Sequence, residues 1–165
     1  YLSCNMNENE QLIHHFYTCF QNKDYQGMQQ CYADSAVFSD PVFQNLDARQ
    51  VRMMWEMLIS RGKDLTLEFS NVQANGKEGS ADWRATYTFS ATGKKVVNQI
   101  HASFVLDQGK IVQHRDHFSF YKWARQALGL SGFLLGWTGF LREIVRQKAM
   151  GNLAGFMKKQ ANIIE

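Results

Sequence analysis

Proline is nearly missing from this 165-residue sequence, with Pro41 standing alone, and charged residues make up only 20% of it. Chains that stay disordered show the opposite bias, because with few apolar residues they cannot bury enough surface to offset chain entropy. Here 45% of residues are hydrophobic and 13% aromatic, so one globular domain around one core is expected. Long hydrophobic runs are also lacking. The least interrupted, Ala127 to Leu141, is diluted by glycines, Ser131 and Thr138 and falls short of the roughly 20 residues of a bilayer span. Cysteine is scarce: Cys4, Cys19 and Cys31 are odd in number and too few for a disulfide scaffold. Packed thiols and a cytoplasmic setting are the expectation. Residue 1 is Tyr, and Met6 is a candidate native start.

Chemical signatures are few as well. There is no phosphate-cradling glycine loop, no nucleophile elbow and no Cys-x-x-Cys pair. His14 and His15 are neighbours on a helix and point about 100° apart. His114 and His117 fall on opposite faces of a strand, so neither pair suits a metal. No metal and no cofactor are expected.

Hydropathy patterning supplies the architecture. Leu12, Ile13, Phe16, Cys19 and Phe20 recur at helical spacing between Asn9 and Asn22. Asp24 can cap a second short helix with Met28, Cys31 and Tyr32 on one face, ended by Ala33-Asp34-Ser35 and followed by a short strand at Val37-Phe38-Ser39. Asp47 with Gln50 three residues later forms a capping-box signature for a third helix, whose apolar face is Val51, Met54, Trp55, Leu58 and Ile59. From Leu65 the period changes to two. Turn signals at Asn75-Gly76, Thr92-Gly93 and Gln108-Gly109 then divide four strands, near 64–73, 80–90, 95–106 and 110–121. Their short connections require antiparallel pairing. The fold class is α+β, a curved sheet with helices on its concave face over residues 1–121, and a helical extension over 122–165 packed on the same domain.

Two stretches resemble a known superfamily. Asp24-Tyr25 followed by Tyr32-Ala33-Asp34-Ser35-Ala36-Val37-Phe38-Ser39-Asp40-Pro41-Val42 is similar to the segment of ketosteroid isomerases in which an Asp-Pro follows the first strand. Asp107-Gln108-Gly109-Lys110-Ile111-Val112-Gln113-His114-Arg115-Asp116-His117-Phe118 resembles the last hairpin of the same superfamily, which includes limonene epoxide hydrolases, SnoaL-type polyketide cyclases and nuclear transport factor two. The match spans about residues 7–121. It implies a conical half-barrel with a mostly apolar pocket, often a homodimer through the outer sheet face.

Position by position, the resemblance puts Asp40 where ketosteroid isomerases keep their base. Their two acidic hydrogen-bond donors fall on Phe16 and His101, and Phe cannot donate. Tyr17 is one residue on, about 100° round the helix, and is not expected to substitute. Asp116 falls where epoxide hydrolases and SnoaL-type cyclases keep a functional Asp, and His101 lies near a cyclase His. The epoxide hydrolase Arg and acid fall on Trp83 and Ala85, which disfavours epoxide opening.

The residues themselves place Trp83, Ala85, Tyr87 and Phe89 on the interior face, with Arg84 outside. Family parity puts His101 and Ser103 on that same inner face with His114, Asp116, Phe118 and Phe120. A carboxylate and an imidazole among aromatics can remove a proton beside a carbonyl and donate to the developing oxygen. Asp116 is thus the candidate acid-base group, His101 its partner or oxyanion donor, and Asp40 a second base near the mouth. Phe16, Trp55, Phe69, Trp83, Tyr87, Ser103, His114 and Phe118 are the candidate substrate contacts. An Asp–His pair on adjacent strands serves equally to fix register, Asp40 before Pro41 serves equally as a turn residue, and the large aromatics serve equally as core.

The expected function is therefore a cofactor-independent isomerase, cyclase or lyase acting on a small hydrophobic carbonyl compound. The alternative is a non-catalytic ligand-binding or interaction module whose C-terminal helices mediate assembly or membrane-surface association. Residues 120–165 hold 7 Lys/Arg against 2 Asp/Glu, whereas residues 1–119 hold 11 against 13. Two amphipathic helices are expected in the tail, with Phe140, Leu141, Ile144 and Val145 on one face, and Leu153, Phe156 and Met157 on another. They would cap the cone mouth, join a partner subunit or lie on a membrane. The charge is too moderate for nucleic acid to be expected as a partner.

Overall fold

Asn7 and Asp47 start the two long N-terminal helices in the same way. In α1 (Glu8–Gln21) the Asn7 side chain accepts from Glu10 N and the Glu10 carboxylate accepts from Asn7 N. In α3 (Ala48–Arg61) Asp47 and Gln50 exchange the same two bonds. Each box satisfies amide groups that the first turn leaves without partners. Between them lies α2 (Tyr25–Gln30), with Asp24 accepting from Gly27 N. These coordinates come from a computed structural model that describes residues 6–164, and Cys4 lies outside the described residues.

The short helix ends earlier than its apolar spacing suggests. Cys31 caps it, and Tyr32 begins β1 (Tyr32–Ser39) instead of extending the helix. Pairing decides this: Tyr32 registers with Ile111, and Ile111 N donates to Cys31 O at 2.8 Å. The strands β2 (Thr66–Asn75), β3 (Glu78–Phe89), β4 (Lys94–Asp107) and β5 (Lys110–His117) form an antiparallel meander. Gly76, Gly93 and Gly109 take positive φ at its three turns, where a side chain would be strained. β1 joins β5 in parallel, so the sheet order is β1-β5-β4-β3-β2. The helices α1 and α3 fill the concave side, α1 against β2 and α3 against β1.

The last strand stops at His117, short of the expected 121, because Ser119 caps α4 (Phe120–Leu128) by accepting from Lys122 N. Before His101, β4 has no β5 partner, and α4 covers that open edge. Gln126 accepts from Val97 N and donates to Val97 O, while Trp123 Nε1 donates to Tyr87 OH at 2.8 Å. Exposed strand edges invite foreign pairing, so this cover is part of what keeps the sheet closed to other chains.

Three tail helices are present where two were expected: α4, the short α5 (Leu130–Leu135) and α6 (Gly139–Ile164). The last runs uninterrupted through Gly151 and Gly155 and returns to α3. Leu153 and Phe156 belong to the main core, and the Arg61 guanidinium lies 5.7 Å from the Phe156 ring centre. The extension therefore shares its core with the cone. No described helix is long and apolar enough to cross a membrane.

Candidate acid-base site at the mouth of the cone

Residues two apart on a strand point to the same side of the sheet, so His114 and Asp116 of β5 both turn inward. They form the end of a buried hydrogen-bonded chain. Trp55 Nε1 donates to Tyr32 OH at 2.9 Å, Tyr32 OH lies 2.7 Å from His114 Nδ1, and His114 Nε2 lies 3.0 Å from Asp116 Oδ1. Trp83 Nε1 adds a longer bond of 3.4 Å to the same carboxylate oxygen. Trp55 can only donate, which leaves the tyrosine proton for His114 Nδ1 and sets the imidazole proton on Nε2, aimed at Asp116. Every hydrogen in the chain then has an acceptor. Aromatic rings surround the imidazole, with Phe104, Phe38 and Phe16 at centroid distances of 4.4, 5.0 and 5.7 Å. Burial without partners would be costly for each of these polar groups, and the chain satisfies them in sequence.

Asp116 Oδ2 takes no hydrogen bond from any described residue, and Asp116 lines an open groove of about 370 Å³. The other walls are Ser39, Asp40, Pro41, Gln44, Asn45, Arg115 and His117. Asp40 Oδ1 accepts from Val42 N and Phe43 N at 2.7 and 2.6 Å, forming the turn that follows β1. Burial pushes its carboxyl up to about 7, opposed by the Phe43 and Val42 amides and by Arg146, and reinforced by the nearby Asp116 charge. Arg146 of α6 donates from Nε to Pro41 O at 3.0 Å, so the C-terminal helix holds the mouth loop in place. The oxygen Oδ1 thus builds the loop, as a turn residue does, while burial keeps the carboxyl near neutrality.

His101 does not join this site. It lies on the outer face of β4, half exposed, with Nδ1 2.6 Å from Asp82 Oδ1. Asn71 Nδ2 donates to the other Asp82 oxygen, and these two partners hold the Asp82 carboxyl below its usual range. Ser103 shares that outer face and lines a second groove with Arg115 and His117. The inner set of β4 is Val96, Asn98, Ile100, Ala102, Phe104 and Leu106, the opposite parity from the one the family resemblance implied. Apolar alternation along the strand overrides the carried-over position.

The interior is occupied by the rings expected to line it. Phe16 and Trp55 are buried with centroids 6.0 Å apart, and Trp55 stands 6.3 Å from Trp83. Phe69, Tyr87 and Phe118 are partly buried and pack against the core. These residues fill the cone where an apolar pocket was expected, and the concavity that reaches Asp116 is mostly polar. As expected, Trp83 and Ala85 face in and Arg84 faces out, paired with Glu68.

Two tyrosines were not anticipated. The apolar spacing puts Tyr32 on a helix, which conceals its position opposite His114 across the β1–β5 pair. Tyr17 is fully buried beside Phe16, because the concave sheet wraps the helix by more than one residue's angular step. Its hydroxyl has no partner among the described residues, and burial pushes its ionisation well above the ordinary value. Among the described residues no cluster of three or more His, Cys, Asp or Glu could hold a metal ion.

Comparison with known proteins bears out the fold. No curated protein sequence matches the chain. TsrD from Streptomyces laurentii superposes with a TM-score of 0.64 at 19% identity, over 77% of this chain and 98% of that one. The polyketide cyclase candidate IdmH from Streptomyces antibioticus gives 0.62 at 18% identity, over 76% and 100%. A limonene-epoxide-hydrolase-like enzyme of M. tuberculosis gives 0.59 at 18% identity, over 81% and 95%. These likenesses show the fold. Residues 13–114 match the SnoaL-like domain, and with that match over more than half its length the chain belongs to the SnoaL-like family.

Proposed function

We propose that the chain is a cofactor-independent acid-base enzyme of the isomerase, cyclase or lyase type. Its substrate is a small hydrophobic carbonyl compound whose reacting end enters the groove at the cone mouth. The observation that carries this reading is the Trp55–Tyr32–His114–Asp116 chain ending at a groove shared with Asp40. Asp116 accepts the proton from the carbon next to the carbonyl. His114, held by Tyr32, donates to Oδ1 and orients the carboxylate so that Oδ2 faces the substrate. Asp40, half protonated near pH 7, donates to the developing enolate oxygen. The proton on Asp116 then returns to a different carbon in an isomerase, or to the leaving group in a lyase. In a cyclase the enolate carbon attacks a second carbonyl of the same molecule, and the alkoxide formed there takes up the proton held on Asp116.

The test is hydrogen–deuterium exchange in D2O next to the carbonyl of cyclic ketones and linear diketones, followed by NMR. The wild-type chain is expected to accelerate exchange in at least one of them, and Asp116→Asn to remove the acceleration. Exchange no faster than in buffer across the panel rejects the proposal. That result would favour a non-catalytic module, a reading supported by the sealed Trp55–Trp83 interior.

A further inference from the structure

The short α5 helix and the turn after it expose their large apolar side chains. Leu130, Trp137 and Phe140 are each more than 70% exposed, and Phe133, Leu134 and Leu135 about half. Soluble surfaces carry apolar residues singly, and a contiguous set of this kind marks a contact surface.

The way α5 is held explains why these side chains are free. It touches α4 through Gly132 and Gly136: a Cβ at Gly132 would sit 1.9 Å from Ala124 O, and one at Gly136 would sit 3.1 Å from the Ala124 Cβ. The glycines let the backbone lie directly on α4, leaving the large residues outward over most of the helix circumference. A protein groove takes one stripe of a helix, whereas immersion in a fluid apolar phase accepts side chains all round.

The surrounding charge has one sign. Between Asp116 and Glu143 the chain holds no carboxylate, while Lys122, Arg125 and Arg142 flank the patch. Arg125 lies 5.5 Å from the Tyr121 ring and 5.4 Å from the Phe133 ring, and Arg142 lies 5.4 Å from Phe120. The Arg125 guanidinium is thus held by rings at the edge of the apolar surface, where phosphate headgroups sit above acyl chains, whereas Arg142 lies over the buried Phe120. Trp137 donates its indole N–H to Leu134 O, which satisfies its polar edge at the polar–apolar boundary.

We propose that residues 130–140 dock the protein on an anionic membrane surface, with Leu130, Phe133, Leu134, Leu135, Trp137 and Phe140 entering the interface and Lys122 and Arg125 facing the headgroups. This is peripheral attachment and is independent of the acid-base reading. The combination of an apolar set with a basic rim fits the physics of interfacial helices.

The test is co-flotation of the full chain with vesicles of phosphatidylcholine and phosphatidylglycerol (7:3), and with phosphatidylcholine alone. Binding at least tenfold tighter to the anionic vesicles, weakened by salt, is expected. The double variant L134S/W137S is expected to lose at least tenfold in binding while keeping its circular dichroism and melting curve, because both side chains are exposed. Equal binding by the double variant, or no vesicle binding, overturns the proposal. Concentration-dependent self-association without vesicle binding, abolished by the same variant, also overturns it and assigns the patch to a second copy.

Discussion

His101 and Asp116 lie on adjacent strands but on opposite faces of the sheet. Asp116 registers with Ala102 and turns inward, whereas His101 registers with His117 and turns to solvent, where it pairs with Asp82. An imidazole does reach Asp116, but it comes from His114 on the same strand.

His101→Ala is therefore expected to cost under about 1 kcal/mol, as exposed ion pairs do, and to leave any turnover unchanged. His114→Ala removes a ring from a filled aromatic cage and leaves the Tyr32 and Asp116 partners unmatched. It should cost about 3 kcal/mol or more. Urea denaturation of both variants measures the contrast, and similar midpoints would contradict the assigned faces.

Tyr32→Phe keeps the ring and removes only the hydroxyl. Trp55 Nε1 then loses its acceptor and His114 Nδ1 its donor. A loss of about 1–3 kcal/mol is expected from the unsatisfied groups, together with loss of the tautomer that points Nε2–H at Asp116. The nitrogen chemical shifts of His114 should report the change, and an unaltered Nδ1 shift would count against the chain as described.

Asp40 gives a pH dependence of defined sign. Its carboxyl is raised by burial to about 7 in the folded protein, against roughly 3.9 when unfolded. The native state therefore holds the proton more tightly, and stability present at low pH is lost as pH rises from about 4 to 7. Asp40→Asn should match the wild type near pH 4 and exceed it by on the order of 1–2 kcal/mol at pH 8, after discounting for partial solvent access. Melting temperatures across that range decide it. If Asp40 transfers a proton, kcat/KM should also show a limb near pH 7 that this variant removes.

Gly132→Ala places a methyl group against the α4 backbone, which cannot yield as a side chain could. A cost of about 1–3 kcal/mol is expected, because α5 must shift from its seat. Gly151→Ala, where a Cβ meets open space in the middle of α6, should instead stabilise by about 0.5–1 kcal/mol. Differential scanning calorimetry of the pair separates close approach from helix propensity.

Burial pushes the Cys31 thiol up to about 12. Since the thiolate is the reactive form, Cys31 in a Cys4→Ser/Cys19→Ser background, where it is the one thiol left, should react with an aromatic disulfide reagent far more slowly at pH 8 when native than when unfolded. Equal rates would show that the thiol is not sealed.

Local patterning was legible because it rests on local physics. The capping box at Asp47 and Gln50, the two-residue period from Leu65 and the glycine turns need only neighbours in sequence, and the α+β cone follows from their order. Inner and outer faces could be read where apolar alternation was strong, as at Trp83 and Arg84. In β4 the same alternation of Val96, Ile100, Ala102, Phe104 and Leu106 was on view, and it places His101 outside, whereas a position carried over from relatives placed it inside. Side-chain parity is absolute within a strand, so an offset of one residue reverses every assignment.

The hydrogen-bonded chain was decided by tertiary structure alone. Tyr32 and His114 are 82 residues apart and meet only because β1 lies parallel to β5 at the sheet edge. Nor could periodicity foresee that aromatic rings fill the cone, since an apolar stripe looks the same whether it lines a cavity or packs against another stripe. The sequence alone determined the type and order of the helices and strands of the cone and the sign of charge in the tail. Which polar groups meet, and which apolar ones are left exposed, depended on the registers and close approaches that long-range packing sets.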